Sequence, residues 1–454
     1  MTIYVNINYP EGLRQAVRAI EDHGGQAYLV GGAVRDALMC NDVKDLDVEV
    51  FGLSEENLVD ILVQVGFAVE LVGKSFGVFT ARSCGISYDF SLPRREEKTG
   101  PGHRDFQIVP DPTMTIAEAA IRRDFTINAL AVRIMTGEVI DTVGGVEDIS
   151  HGILRPTSTF FDQDPLRVLR GMQFAARFNM SGTVNFFGVA YRLMPEYHTI
   201  SRERVWMEWQ KWAAARYPTR GLAILVQTGW VNLYPQLTAM FNVEHRGNDY
   251  HRDGETVWNH TVEACARLAD NLATRNISRD DWVVLMLAML CHDMGKPATN
   301  VAGRFHGHDE VGAEQAEQFL VSIGCPPGII ASVVALVRNH MVHDINTLSA
   351  VRRLAHRLGT AATVGMMALI VESDIENGSA EVLMRLADEL GVVNAAPAPL
   401  VMGRHLIAEG VSPGREMGRQ LHELFEAQLD GAFETVEDGV RYWRMHQFGL
   451  LMCP

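Results

Sequence analysis

The chain has 454 residues, 47% hydrophobic and 21% charged, a balance typical of a folded globular protein with room for two to four domains. Its formal net charge of −16 argues against broad nonspecific binding to nucleic acid, because affinity for phosphate comes from clustered Lys and Arg. The six cysteines are scattered with no Cys-x-x-Cys pair, which indicates neither a disulfide framework nor a zinc ribbon and favours a reducing cytoplasm.

The first distinctive stretch is Leu-Val-Gly-Gly-Ala-Val-Arg-Asp at residues 29–36, followed by Asp45 and Asp47. Flanking apolar residues predict a strand, a glycine turn, a short helix and a second strand that carries both acids. Side chains two apart on a strand share a face, so Asp45 and Asp47 can aim their carboxylates at one hard cation. The glycine pair lets backbone N–H groups approach a phosphate, and Arg35 adds further donors. The stretch predicts a metal-nucleotide site, although an isolated Asp-x-Asp is more typical of a solvated strand.

The next elements are a helix over residues 54–66 with Ser54 as its cap, and three strands, at residues 68–72, 77–82 and 86–92. The last strand carries Asp89. Two-metal phosphoryl transfer uses a further acceptor near the attacking hydroxyl, and a carboxylate on a neighbouring strand can supply it. An exposed strand acid is the alternative interpretation of Asp89.

Residues 94–112 are rich in charge, Gly and Pro without a clear period, which predicts a mobile loop. Thr115 then opens a helix that leads into Arg-Arg-Asp-Phe-Thr-Ile-Asn-Ala at residues 122–129. Adjacent Arg residues beside an acid and an Asn suit triphosphate and ribose contacts, whereas Arg-Arg-Asp alone is more typical of a salt-bridged surface.

Residues 161–170, Phe-Asp-Gln-Asp-Pro-Leu-Arg-Val-Leu-Arg, predict a helix start with Asp as its cap. Asp164 and Arg167 are three apart and fall on one helix face. An Asp acceptor beside an Arg donor fits C and A, which each offer an amino group beside a ring-nitrogen acceptor, and rejects U and G. The alternative is an intrahelical ion pair worth a few tenths of a kcal/mol.

Helical segments continue to about residue 241, and residues 201–220 hold five basic side chains against two acidic ones. This stretch is where we expect any RNA to bind. Its basic residues are Arg202, Arg204, Lys211, Arg216 and Arg220.

A second constellation of His and Asp begins after residue 255. A His-Asp pair follows the apolar run 282–291, which is too short to cross a bilayer and predicts a core helix, so no membrane contact is expected. Neutral imidazoles with carboxylates can hold one or two divalent transition ions, which activate water for phosphoester hydrolysis. The candidate ligands are His260, His292, Asp293, His308, His340 and Asp374, with His306 and His343 as alternatives.

The motifs at residues 29–47, 122–129 and 161–170 together resemble the class II tRNA nucleotidyltransferase (CCA-adding enzyme) and bacterial poly(A) polymerase family. The resemblance implies an α+β chain, with a small mixed-sheet polymerase-β-like nucleotidyltransferase head followed by all-α neck, body and HD domains. We expect the head over residues 1–150, the neck and body over 151–250, the HD domain over 251–380 and a helical tail over 381–454.

The same resemblance implies attack of an RNA 3′-hydroxyl on the α-phosphate of CTP or ATP. Asp45 and Asp47 would hold two Mg²⁺ ions, and Asp89 would assist the nucleophile. The implied nucleotide-binding residues are Gly32, Arg35, Arg123, Asp164, Arg167 and Arg170. Two departures bear on specificity more than on reaction type: Gln163 stands where the family usually has Glu, and Gln173 where it often has Arg.

The second constellation resembles the HD phosphohydrolase domain fused to many bacterial tRNA nucleotidyltransferases. This resemblance implies phosphodiesterase or phosphatase activity with Mn, Ni or Co, and an inert HD domain used for packing is the alternative. The tail helices are expected to contact the tRNA body or a second copy in a homodimer.

Our interpretation is a cytoplasmic enzyme that adds C and A to the 3′ acceptor end of tRNA. Three alternatives stay open. A poly(A) polymerase shares the head motifs but usually lacks an HD domain and has a basic tail, whereas this tail is acidic. A partial enzyme adding only CC or only A also shares them, and the long segment 94–112 argues against CC alone. The third is an HD hydrolase with a non-catalytic head, against which the intact Asp45 and Asp47 argue.

Overall fold

The computed structural model describes residues 2–43, 45–71, 78–83, 85–98, 106–245, 254–342, 345–375 and 378–448. The chain divides into two compact units, Met1–Leu233 and Tyr234–Pro454. The last strand ends at Gly182 and the named elements after it are helices, which confirms the predicted α+β class. Of the helices in these described ranges, none is both long and apolar enough to cross a membrane.

The first unit contains all the named strands. They are β1 (Gln26–Val30), β2 (Asp47–Phe51), β3 (Ala68–Leu71), β4 (Val78–Ser83), β5 (Ile86–Ser91), β6 (Arg94–Lys98), β7 (Phe106–Pro110), β8 (Ala131–Arg133), β9 (Val139–Ile140), β10 (Ile153–Leu154) and β11 (Ser181–Gly182). Seven of them form one mixed sheet in the order β3-β4-β5-β2-β1-β8-β9, in which β2 and β5 are parallel. The strands predicted from the sequence are therefore confirmed.

The helices of the first unit are α1 (Glu11–Asp22), α2 (Gly32–Leu38), α3 (Glu55–Gln64), α4 (Ile116–Ala120), α5 (Gly145–His151), α6 (Leu166–Phe178), α7 (Val184–Leu193), α8 (Arg202–Ala213) and α9 (Pro218–Gln227). The helix α1 buries Leu13, Ala16, Val17 and Ile20, an i, i+3, i+4, i+7 stripe that packs on the sheet. As predicted, Ser54 caps α3 by accepting a hydrogen bond from the backbone N–H of Asn57.

Two local predictions about the head are wrong. The strand β2 begins at Asp47, so Asp45 precedes the strand and does not continue its alternation of faces. Residues 94–98 and 106–110 form the antiparallel pair β6 and β7, where the sequence predicted a loop, and residues 99–105 of that predicted loop lie outside the described residues. Pairing between antiparallel strands stabilises sequences that carry no hydrophobic period of their own, because the backbone hydrogen bonds do not depend on side-chain type.

The second unit is helical. Its helices are α10 (Pro235–Ala239), α11 (Val257–Ala273), α12 (Arg279–Cys291), α13 (Lys296–Thr299), α14 (His308–Ser322), α15 (Pro327–Arg338), α16 (Leu348–Leu358), α17 (Val364–Asp374), α18 (Ser379–Glu389), α19 (Gly403–Ala408), α20 (Arg415–Leu429) and α21 (Val436–Phe448). Every residue from Val283 to Cys291 is buried, as predicted for a core helix, and α12 packs between α11, α15 and α17.

Candidate active site and candidate metal centre

The strand register brings two of the predicted carboxylates together. Asp47 of β2 and Asp89 of β5 are directly paired in the parallel ladder, and Asp89 Oδ1 accepts a hydrogen bond from Thr80 at 2.9 Å. Burial raises the pKa of Asp47, the charges of Asp89 and Asp45 raise it further, and Arg123 opposes the shift. Crowded carboxylate oxygens are the donors that Mg²⁺ takes, and a bound cation would relieve their repulsion, so these residues fit the ion.

The glycine turn is required by the backbone. Gly31 has a φ of 70°, and a Cβ on it would lie 3.1 Å from Nη1 of Arg123. A side chain at this position would therefore be strained and would also displace the arginine. The turn thus allows Arg123 to lie close to the backbone where α2 begins.

Arg35 is buried, with 4% of its surface exposed. Its Nε and Nη2 donate to Asp36 Oδ1 at 3.0 and 2.8 Å, and its Nη1 donates to Asn128 Oδ1 at 2.5 Å. Its guanidinium also lies over the ring of Phe178, 4.3 Å from the centroid. Arg35 therefore joins α2 to the 122–129 segment, a role that the sequence interpretation missed when it assigned this side chain to phosphate.

The 122–129 segment forms a buried charge network. Asp124 Oδ2 accepts from Arg170 Nε at 2.7 Å, and Asp124 Oδ1 accepts from Asn128 Nδ2 at 3.0 Å. Arg123 donates to Glu49 Oε2 at 3.1 Å. Burial opposes ionisation of Asp124, but the charge of Arg170 and these hydrogen bonds hold its pKa below the ordinary value. The network ties α6 to the segment that carries Arg123.

The proposed base-reading pair is held by other groups. Asp164 Oδ1 accepts from the backbone N–H of Leu166, the first residue of α6, at 3.1 Å, and Asp164 Oδ2 lies 2.7 Å from Nη2 of Arg204. Arg167 donates to two backbone carbonyls, those of Phe160 at 2.6 Å and Arg122 at 2.9 Å. The contacts with Arg204, Phe160 and Arg122 come from α8 and from segments that precede α6 in the chain.

A cavity of about 660 Å³ collects these residues. Eight of the nine residues predicted for catalysis and nucleotide binding line it: Gly32, Arg35, Asp47, Asp89, Arg123, Asp164, Arg167 and Arg170. Asp45 is not among its lining residues in the described part of the chain. Gln173 lines it and accepts from Arg177 Nη1 at 3.3 Å, whereas Gln163 is half-buried elsewhere.

Other lining residues were not predicted to bind nucleotide. Glu49 lies two residues after Asp47, so the period-two alternation of β2 is a signal that could have identified it. Arg204 and Lys211 of the basic stretch also line the cavity. Arg220 instead donates to Asn179 at 2.8 Å, and such tertiary partners cannot be identified from charge alone.

In the second unit all six predicted ligands are buried. Ligand atoms converge in two groups that share Asp293: His260, His292 and Asp293 form the first group, and Asp293, His308 and His340 form the second. Asp374, the last residue of α17, lies beside the first group. Its Oδ1 is 2.8 Å from His260 Nε2 and 3.4 Å from His292 Nε2.

Three of these histidines are oriented by backbone carbonyls three residues earlier. Nδ1 of His292, His308 and His340 lies 2.7, 2.8 and 2.6 Å from the carbonyl oxygens of Met289, Phe305 and Val337. The contact favours a proton on Nδ1 and leaves Nε2 as the ligand atom. Gly295 is also required, because a Cβ on it would lie 2.0 Å from the carbonyl oxygen of His308.

The electrostatics of this centre suit a cation. Burial opposes the charge of His292, but Asp293 and Asp374 outweigh burial and raise the pKa of His292 to about 10. Burial, and next the charge of His292, lower the pKa of His340 to about 3. Burial also opposes ionisation of Asp293 and Asp374, yet His292 holds the pKa of both well below the ordinary range.

The residues present fit a divalent transition ion. Nε2 of His292 and both carboxylate oxygens of Asp293 are buried and make no hydrogen bond of acceptable geometry in the described chain. A mixed set of imidazole nitrogen and carboxylate oxygen donors suits such ions. Lys296, which the sequence interpretation left without a role, has Nζ 2.7 Å from Asp293 Oδ2. His306 is exposed, and His343 lies outside the described residues.

Comparison with known protein families identifies both units. The model described as Poly A polymerase head domain matches residues 27–155, and the model described as HD domain matches residues 257–390. The Multifunctional CCA protein of Xanthomonas campestris pv. campestris (strain B100) is 32% identical over 418 residues, which cover 87% of this chain and 95% of the relative. That of Nitrosococcus oceani is 33% identical over 329 residues, covering 71% of this chain and 76% of the relative.

Solved structures share the fold at lower identity. The CCA-adding enzyme of Bacillus stearothermophilus in complex with CTP has a TM-score of 0.64 at 19% identity, covering 97% of this chain and 98% of that one. The Thermotoga maritima CCA-adding enzyme complexed with tRNA has a TM-score of 0.63 at 17% identity, covering 98% of this chain and 99% of that one.

Proposed function

This chain belongs to the family of multifunctional CCA proteins, and from that premise we propose that its first unit adds C and A to the 3′ end of tRNA from CTP and ATP. One observation of the structure carries this proposal. Eight predicted residues, seven from three separate motifs and Asp89 from a further strand, line a single cavity that contains both acidic and basic side chains.

The proposed reaction joins the 3′-oxygen of the RNA to the α-phosphorus of the nucleotide, and the bond from that phosphorus to the departing pyrophosphate breaks. Asp45 and Asp47 would hold Mg²⁺, which when bound neutralises the triphosphate and favours ionisation of the attacking hydroxyl. Asp89 lies one strand from Asp47 and would accept the proton of that hydroxyl. Arg123, held by Glu49, would orient the triphosphate.

Base selection is assigned to Asp164 and Arg167. Arg204 and the Leu166 N–H hold the Asp164 carboxylate, and a carboxylate oxygen can accept more than one hydrogen bond, so a base amino group can join these donors. The two carbonyls that hold Arg167 orient its guanidinium before a base arrives. Such pre-orientation lowers the entropy cost of reading the base.

The test is direct incorporation. The purified chain is incubated with Mg²⁺, each labelled nucleoside triphosphate and tRNA ending at the discriminator base, and the 3′ ends are sequenced. We expect addition of C, C and A and then arrest. No incorporation would overturn the transferase assignment, long A tails would identify a poly(A) polymerase, and arrest after CC or addition of A alone would identify a partial enzyme.

For the second unit we propose metal-dependent hydrolysis of phosphoesters, with Mn²⁺, Ni²⁺ or Co²⁺ as the ion. The observation that favours it is the pair of ligand groups sharing Asp293, since two adjacent divalent ions can stabilise both the attacking and the leaving oxygen. The test is hydrolysis of bis-p-nitrophenyl phosphate and of 2′,3′-cyclic nucleotides with each ion. Equal hydrolysis with and without the ions would contradict the proposal.

A further inference from the structure

The imidazole rings of the metal centre form a row that extends beyond the predicted ligands. Ring centroids are 5.0 Å apart between His308 and His340, 5.6 Å between His340 and His292, and 5.5 Å between His292 and His260. His245 continues the row at nearly the same spacing, with its centroid 5.4 Å from that of His260. The row therefore contains a fifth histidine that no motif identified.

The backbone fixes His245 beside the start of α11, the helix that carries His260. The N–H of His245 donates to the carbonyl of Glu255 at 2.8 Å, and the N–H of Val257 donates to the carbonyl of Val243 at 2.8 Å. The ring itself is 3% exposed and lies between the ring of His260 and that of Phe305, 5.8 Å from the latter. Backbone pairing and the contacts with these two neighbouring rings therefore set the position of His245.

His245 touches a ligand and is not itself a ligand in this geometry. Among the described residues, the two converging groups of ligand atoms include His260 but not His245. Nε2 of His260 lies on the side of the first group, 3.9 Å from Asp293 Oδ2 and 2.8 Å from Asp374 Oδ1. The edge-on ring of His245, inclined at 63° to that of His260, restricts rotation of the ligand ring.

We propose that His245 is a positioning residue of the metal centre, whose ring holds His260 in its ligating orientation. The inference rests on the proposed metal-dependent function of the second unit. Removing the ring takes away one of the contacts that orient His260, and loss of a partner that orients a metal ligand typically costs 10–100-fold in metal affinity. The effect is expected for the first ligand group, which contains His260, and not for the second.

The experiment is calorimetric titration of the whole chain with Mn²⁺. Wild type is compared with His245→Ala, with His245→Phe, which keeps an aromatic ring at the contact, and with His356→Ala as a matched control. His356 is an exposed histidine of the same unit whose ring packs on Phe425 at 5.1 Å, away from the centre.

We expect two Mn²⁺ per wild-type chain, one of which binds H245A about 10–100-fold more weakly while the other is unchanged. H245F and H356A should stay within about three-fold of wild type, and nucleotide addition should be unchanged in all three variants. If H245A does not fold, H245L replaces it in the comparison with H245F.

Wild-type affinity at both sites in H245A would overturn the inference, and so would a loss in H245F as large as that in H245A. Equal weakening of both sites would indicate a general structural effect and would also overturn it. A wild-type chain that binds no Mn²⁺, Ni²⁺ or Co²⁺ would instead refute the proposed function of the centre, and the inference with it.

Discussion

Asp124 shows how a single buried charge supports the nucleotide cavity. Its carboxylate accepts from Arg170 on α6 and from Asn128 on its own segment, and Asn128 in turn accepts from Arg35 on α2. Three separate stretches of chain are therefore joined by hydrogen bonds that are largely withheld from solvent. Removing one member leaves its partners with unmet hydrogen-bonding capacity.

We predict that Asp124→Asn lowers the free energy of unfolding of the first unit by roughly 3 kcal/mol at pH 7. The folded pKa of Asp124 lies below the unfolded value of about 3.9, so its contribution is present above about pH 4 and is lost as the pH falls through the folded pKa. The difference between wild type and D124N should therefore be constant from pH 5 to 7 and shrink below pH 4.

The measurement is urea-dependent hydrogen exchange in peptides from α6 at each pH. The control is Asp60→Asn, because Asp60 is an exposed acid on α3 and its replacement should change stability little. If the stability difference between wild type and D124N grew as the pH fell, the predicted direction of the pH dependence would be wrong.

A second prediction at this scale concerns base choice. Replacing Arg167 by Ala removes the donor assigned to the base, and a hydrogen bond from a charged group is worth about 1.5–3 kcal/mol. We expect R167A to lower the ratio of kcat/KM for CTP over UTP by about 10–100-fold. Arg192→Ala is the matched control, since Arg192 is exposed and bonds to the carbonyl of Gly188 on its own helix. An unchanged ratio in R167A would remove Arg167 from base selection.

At the scale of elements, α6 is the helix on which the cavity depends, because Asp164, Arg167, Arg170 and Gln173 all lie at its start or along it. It packs on α8 and α9 and approaches a cluster of phenylalanine rings closely. A Cβ on Gly171 would lie 2.5 Å from Cζ of Phe186. The ring is fully buried and has no open space to move into.

We predict opposite effects of the same substitution at two helical glycines. Gly171→Ala should destabilise the first unit by about 1–3 kcal/mol through overpacking, and it should lower nucleotide addition by displacing α6. Gly188→Ala, on the exposed side of α7 with its nearest neighbouring atom 3.9 Å away, should stabilise the unit by about 0.5–1 kcal/mol. Thermal unfolding and the incorporation assay measure both. Equal effects at the two sites would contradict the packing argument.

At the scale of the whole molecule, the two units carry separate chemical centres, each built from residues of its own unit. The first offers oxygen donors beside arginines, which suits Mg²⁺ and a triphosphate. The second offers imidazoles with carboxylates, which suits softer ions. The two proposed activities should therefore be separable by mutation.

We predict that substitutions in one centre remove the activity proposed for that centre and leave the other activity unchanged. Asp47→Asn should reduce nucleotide addition more than about 100-fold and leave phosphoester hydrolysis unchanged, since loss of a ligand exceeds the 10–100-fold cost of losing its support. The double variant His292→Ala with Asp293→Ala should abolish hydrolysis and retain nucleotide addition. The double variant H292Q with D293N removes less side-chain volume and should give the same result. If hydrolysis persists in both double variants, the hydrolytic site is not the His292 and Asp293 centre.

Much of the candidate site could be predicted because its residues are close together in sequence. Asp164 lies two residues before α6 and Arg167 is in the first turn of that helix, and His292 with Asp293 follows a run of apolar residues that predicts a buried helix. Such spacing depends on local backbone geometry, which the chain determines by itself. Local patterns of this kind predicted most strands and helices of the head and its metal-nucleotide site, whereas the class of fold, the order of the domains and several nucleotide-binding residues were implied by the resemblance to a known family.

The tertiary structure alone decided which groups those residues meet. Arg35 bonds to Asn128, 93 positions later, so the side chain that was predicted to bind phosphate also forms a buried link between two elements. His245 meets His260 only because two short backbone segments pair beside α11. Sequence by itself determined the chemistry available at each position. The folded structure decided which charges are neutralised and which ring orients which metal ligand. Both depend on contacts between distant segments, because burial and partner distance are properties of the folded chain and not of local spacing.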